Sequence, residues 1–260
     1  MRRLHDFLAV CCLIVLTLAP LGAAAASEIT IAAASDLKFA LQEIVSNFQS
    51  AHKGDKVDVV YGSSGKLQTQ IREGAPFDIF FSADIAYARA LRKDGYAATE
   101  PTPYAVGRIV LWSATRDATK LRLEDLTDPK ISKIAIANPA HAPYGRCAEQ
   151  VLRAAGLWDK VKDKLVFGEN ISQATQYAET GAADVALTAL SIALSKEVAD
   201  RGGYSLIPET LHSRLEQAYV VTRQGADKAL AKTFLDYLKT GQSQTIMIKF
   251  GFAPPGQAAR

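Results

Sequence analysis

Cysteine is scarce in this chain. There are three in 260 residues; Cys11 and Cys12 sit inside an N-terminal apolar run, and only Cys147 lies beyond it. One thiol cannot close an internal disulfide, so the framework that staples small secreted domains is excluded and the core alone must hold the fold. Histidine is nearly as rare. His5, His52, His141 and His212 contain no His-x-x-x-His pair, which leaves a zinc site of the usual spacing without ligands. Charge of one sign is not in excess either. With 30 basic against 27 acidic residues, no basic face for nucleic acid is implied. After residue 26 no apolar run is long enough to span a membrane, and no repeat, low-complexity tract or Gly/Ser/Pro linker divides the chain into separate beads. Enzyme signatures are missing too. No Gly-x-Ser-x-Gly elbow occurs. Gly62-Ser-Ser-Gly65-Lys66 fails as a phosphate loop because Val60 stands where glycine is needed and Leu67 follows the lysine.

What is present begins with an address. Arg2 and Arg3 lead into the apolar run Phe7 to Ala19, and Pro20-Leu-Gly-Ala-Ala-Ala-Ala26 supplies small residues for a peptidase, so residues 1–26 read as a cleaved secretory signal. Val10 before Cys11 does not fit a lipoprotein signal. The mature chain is expected to be soluble, exported and near neutral, with 28 basic against 26 acidic residues once Arg2, Arg3 and Asp6 leave.

The mature chain alternates short Val- and Ile-rich strands with amphipathic stretches, an α/β pattern. Strands are expected at 28–34, 56–62, 78–83, 108–114, 133–138, 164–169, 184–190 and 217–222. Runs 105–108 and 217–221 read as strands crossing between two lobes. Residues 27–106 and 221–260 would then form a discontinuous lobe I, and 107–220 lobe II. Ligands of open α/β sheets bind beyond the carboxyl ends of the strands, so a cleft between the lobes would receive loops from both.

Two segments, Ile31-Ala-Ala-Ala-Ser35-Asp36 and Tyr61-Gly-Ser63-Ser64-Gly65-Lys66-Leu67, each put a serine where a strand hands over to a helix. Helix starts carry unpaired N–H groups and the positive end of the helix dipole, so two of them aimed at one point can hold a small oxyanion without a counter-charge.

These segments, with Gly74-Ala-Pro-Phe-Asp78-Ile-Phe-Phe-Ser82-Ala-Asp84, Asn138-Pro139, Pro143-Tyr-Gly145, Phe234-Leu-Asp-Tyr-Leu238 and Phe250-Gly-Phe252, come in an order that resembles the periplasmic molybdate-binding proteins of ABC importers. The resemblance spans nearly all of the mature chain. It implies a two-lobed type II periplasmic binding fold, each lobe a mixed sheet flanked by helices. The lobes would close over molybdate or tungstate and deliver it to an inner-membrane permease, with no cofactor, no catalysis and a monomeric state. Carried over by motif, the ligand residues are Ser35 and Ser64 through hydroxyl and backbone N–H, Tyr144 and Ile171 through backbone N–H, and Thr188 where many members carry a tyrosine. The Tyr144 hydroxyl is a possible substitute for that missing donor, and Ser63 competes with Ser64.

Other residues receive plainer readings. Asp36 is expected to face away from the cleft, Lys66 and Arg146 to be solvated rim charges, His141 a loop residue and Cys147 a buried thiol. A lining made of donors alone would reject phosphate, whose P–OH finds no acceptor, and would leave sulfate to be excluded by size. Two alternatives stay open: a carrier of sulfate, another oxyanion or a small organic acid, and a secreted hydrolase using one of the serines.

Overall fold

The computed structural model describes residues 27–256, so the expected signal at 1–26 lies outside the described residues. The chain runs β1 (Glu28–Ala34), α1 (Lys38–Ala51), β2 (Lys56–Gly62), α2 (Ser64–Arg72), β3 (Ile79–Ser82), α3 (Ile85–Lys93) and β4 (Thr102–Gly107). It continues with β5 (Ile109–Ser113), β6 (Ile134–Ala137), α4 (Pro143–Ala154), α5 (Trp158–Val161), β7 (Leu165–Gly168), α6 (Ile171–Glu179), β8 (Val185–Ala189), α7 (Leu190–Ala193), α8 (Lys196–Ala199) and β9 (Gly203–Leu206). It ends with β10 (Leu215–Val221), α9 (Ala229–Leu238) and α10 (Gly241–Lys249). A short 3₁₀ turn, Ser35–Leu37, joins β1 to α1.

Two five-stranded mixed sheets result, in the orders β2-β1-β3-β10-β4 and β7-β6-β8-β5-β9. They share one plan. In each, three parallel strands are followed by one that runs against them and an edge strand antiparallel to that one: β2, β1 and β3 then β10 and β4, and β7, β6 and β8 then β5 and β9. β10 reaches the first sheet only after the chain has built the second. The expected crossings fall on the step from Gly107 to Ile109, through Arg108, and on β10, which pairs within the first sheet from Leu215 onward.

Sequence accounts for these elements locally. β1 is central, and Ile29, Ile31, Ala32, Ala33 and Ala34 are buried because both faces are covered. α1 buries Ala40, Leu41, Ile44, Val45 and Phe48, one stripe of a 3.6-residue period, and Phe48 packs edge-on against Phe234 of α9. Asp84 and Asn170 cap α3 and α6 through their side chains, and Pro143 opens α4 where its missing N–H has no cost. The second lobe has its own core around Trp112, Ile134, Ile136, Val151 and Leu187, and Ala34 and Ala83 of the first sheet pack against it. The paired plan has one consequence for function. The parallel strands β1 and β2 of the first sheet, and β6 and β7 of the second, all end against the same interlobe space.

Candidate functional site

Four helix starts converge there. The turn after β1 brings Ser35 and Asp36, α2 brings Ser64, α4 brings Tyr144 and α6 brings Ile171; with Ala34, Gly62, Ser63, Ala83, Ala142 and Pro143 they line one cavity of about 10 Å³. That is about the room one water needs and far below the roughly 300–1,000 Å³ typical of organic-ligand sites, so it suits a small inorganic anion better than an organic acid. A larger hollow of about 420 Å³ beside Lys38 and Gln176 carries two carboxylates, Glu179 and Glu197, and is a poor place for an anion.

The donors face inward. Ser64 is fully buried, and its Oγ accepts from the Ala83 N–H at 3.0 Å, which leaves its hydroxyl proton for a ligand. Ser35 Oγ likewise accepts from the Ser172 N–H at 3.4 Å. Ile171 is the first residue of α6 and Tyr144 the second of α4, positions whose N–H groups have no intrahelical acceptor. Ser63, the competitor of Ser64, is engaged elsewhere: its Oγ and His141 Nδ1 are 2.9 Å apart.

Thr188 stands outside this group. It is fully buried on β8, and its hydroxyl is hydrogen-bonded to Thr175 of α6, whose own Oγ1 bonds the Ile171 carbonyl at 2.9 Å. A side chain this short on the second sheet stays inside its own lobe. The Tyr144 hydroxyl also has a partner other than the cavity: Gln217 Nε2 donates to it at 3.4 Å.

Asp36 corrects the expectation that it faces away. It lines the cavity with 1% of its surface exposed, and burial pushes its carboxyl up to about 6 despite the hydrogen bond from Gln217. The lining therefore is not made of donors alone. Removing the carboxyl from water disfavours its charge, which is why a sequence reading that weighs only the charge sends it outward.

The rim charges are paired across the lobes rather than free. Arg146 of α4 meets Asp84 at 2.6 Å, donates to the Tyr87 hydroxyl and lies over the Tyr87 ring; Lys66 faces Glu169 at 3.4 Å. The Gly65 N–H donates to the His141 carbonyl at 2.9 Å, and Ser172 and Ser191 hydroxyls reach the carbonyls of Ser35 and Asp36. The lobes are shut. Cys147 is buried, and its thiol, pushed up to about 12 by burial, is no nucleophile.

Fold and site together define a two-lobed solute-binding protein with a candidate site at the lobe junction. The chain belongs to the family described as bacterial extracellular solute-binding protein, whose model matches residues 29–253. It is 37% identical over 234 residues to the molybdate-binding protein ModA of Rhodobacter capsulatus, covering 88% of this chain and 89% of that protein. The ModA of Azotobacter vinelandii is 34% identical over 231 residues, covering 88% and 91%. The solved Azotobacter vinelandii periplasmic molybdate-binding protein superposes with a TM-score of 0.82 at 30% identity, covering 87% of this chain and 99% of that one. The sulfate-binding protein SubI of Mycobacterium tuberculosis superposes at 0.74 with 18% identity over 90% and 88%, a likeness of fold alone.

Proposed function

We propose that this chain binds molybdate or tungstate in the interlobe cavity and hands it to an ABC permease. One observation carries the reading: Ser35, Ser64, Tyr144 and Ile171 bring four helix starts to a single small cavity, and both serine hydroxyls already accept inside the protein and so have protons to give. The similarity to molybdate-binding relatives names the anion. In this reading 27–107 with 215–256 form one lobe and 108–214 the other, and the anion stabilises the shut form.

Closure strips water from a dianion, and the site returns hydrogen bonds worth roughly 1.5–3 kcal/mol each to a charged acceptor. Several of them reach the micromolar to nanomolar range, about −8 to −12 kcal/mol. The protein acts in the periplasm as a monomer and catalyses nothing. The Ser63–His141 pair is the geometry nearest to a hydrolase. Among the described hydrogen bonds no carboxylate orients that imidazole, and burial together with Lys66 lowers its pKa.

The test is a thermal-shift series on ligand-stripped protein with molybdate, tungstate, sulfate and phosphate in equal excess. At a thousandfold excess over Kd, binding adds about 4 kcal/mol of stability, a shift of several degrees. Molybdate and tungstate are expected to give it. A larger shift with sulfate, or none with any anion, overturns the cargo assignment.

A further inference from the structure

Behind the cavity runs a buried chain of polar side chains that the binding reading does not use. Tyr104 on β4 donates from its hydroxyl to Gln217 Oε1 at 2.6 Å. Gln217 on β10 donates from Nε2 to Asp36 Oδ2 at 2.6 Å and to the Tyr144 hydroxyl at 3.4 Å, so one amide joins the carboxyl to the phenol. None of the four is more than 7% exposed. Gln217 spends both amide protons and its carbonyl on this chain, and the β10–β4 register slips between Gln217 and Ala218 to place it there. Gly107 leaves the room: a Cβ on it would stand 2.2 Å from the Tyr144 hydroxyl and 2.7 Å from Gln217 Nε2.

Their positions give this chain a direction. Tyr104 and Gln217 sit on the strands beside the crossings, Asp36 sits in the turn that carries Ser35, and Tyr144 comes from the opposite lobe on α4. Asp36 Oδ1 is buried without a partner, so the carboxyl depends on the Gln217 amide, which also reaches the Tyr144 hydroxyl. Opening the lobes would withdraw Tyr144 and return Asp36 to water; shutting them without the phenol would leave the buried Gln217 amide with one acceptor fewer.

Resting on the oxyanion reading of the cavity, we propose that Asp36, Gln217 and Tyr104 are positioning residues that hold the Tyr144 side chain against the first lobe, so that the Tyr144 main-chain N–H completes the donor set. The anion is then retained partly by groups that do not touch it. The Tyr144 phenol anchors the helix start that does.

The experiment is a double-mutant cycle on the full mature protein, with Tyr144→Phe, Asp36→Ala and both together, read by molybdate calorimetry and stopped-flow release. Tyr144→Phe is expected to weaken binding roughly tenfold, the loss of about one buried hydrogen bond, almost wholly through a faster koff. In the Asp36→Ala background the same change is expected to cost less than about twofold, because coupled neighbours are not additive. Tyr104→Phe, outside the cavity, is expected to raise koff a few-fold in the same direction, and melting curves without anion identify any variant that fails to fold. Equal Tyr144→Phe losses in both backgrounds, or a Tyr104→Phe koff equal to the parent's, overturn the proposal. A parent that binds no oxyanion overturns the cargo reading instead, and this inference with it.

Discussion

Gly65 offers a test in which affinity and stability are expected to move in opposite directions. It is the second residue of α2 on one lobe, and its N–H donates to the His141 carbonyl of the other at 2.9 Å. A Cβ at Gly65 would lie 2.7 Å from that carbonyl oxygen and 3.0 Å from both Cα and Cβ of His141. The nearest atom is backbone, which cannot swing aside as the tip of a flexible side chain can, so the lobes themselves must separate. Overpacking of this kind costs about 1–3 kcal/mol, all of it in the shut form. Affinity for molybdate in Gly65→Ala is therefore expected to fall roughly 5- to 150-fold. Without anion the open form meets no clash. A helical Gly→Ala change instead stabilises by roughly 0.4–1 kcal/mol through the unfolded chain, so the stripped variant is expected to melt at or slightly above the parent. Calorimetry gives the first quantity, a melting curve the second, and the radius of gyration with saturating anion shows whether closure stays incomplete. If Gly65→Ala binds as tightly as the parent, the 65–141 contact does not belong to the loaded state and the argument fails.

Other outcomes follow from the same geometry. Ser35→Ala and Ser64→Ala each remove a charge-assisted donor and are expected to weaken molybdate binding roughly 10- to 150-fold; Ser64→Ala also orphans the buried Ala83 N–H, so it alone is expected to lower the melting point without anion. Arg146→Met breaks the interlobe pair with Asp84, which is about a third exposed on both sides, so a koff rise of a few-fold is expected, consistent with less than about 1 kcal/mol, and added salt should reproduce part of it in the parent. The Asp36 carboxyl, raised by burial from 3.8 to about 6, gives a pH signature. For an acid raised in the folded state, the stabilisation is fully present below the unfolded value and lost as pH climbs through the folded one. Relative to Asp36→Asn, the parent is therefore expected to lose on the order of 3 kcal/mol between pH 4 and pH 6. Parallel pH–stability curves for the two proteins would refute that assignment.

Much of the fold was legible because its central strands are strongly patterned. β1 and β2 fall on the residues expected, and β3, β5, β6, β7 and β8 lie within the expected spans. β9 escaped notice for a physical reason. It is an edge strand of four residues, Gly203 to Leu206, paired only with β5 and half exposed, so neither an apolar run nor a clean alternation marks it. The helix starts were legible at Ser35 and Ser64, where a serine stands at a strand-to-helix step, while Tyr144 and Ile171 were expected from the family resemblance; all four line the one cavity. Thr188 was placed by analogy with a longer side chain, and a threonine on β8 reaches no farther than Thr175.

Asp36 shows where such a reading stops. Beside Ser35 at the start of a helix, an aspartate has a complete local explanation, since a carboxylate favours the positive helix end and needs nothing else. What makes it a different residue is Gln217, 181 positions later and 2.6 Å away. That approach depends on a slipped register in β10, on Gly107 leaving space for a phenol, and on Tyr144 arriving from the other lobe. Each is a consequence of two sheets packing and shutting, and none leaves a mark within a few residues of Asp36. Local patterns therefore report the groups that can touch an anion through their own helix start, while the residues that hold those groups in place become visible only when the lobes are brought together.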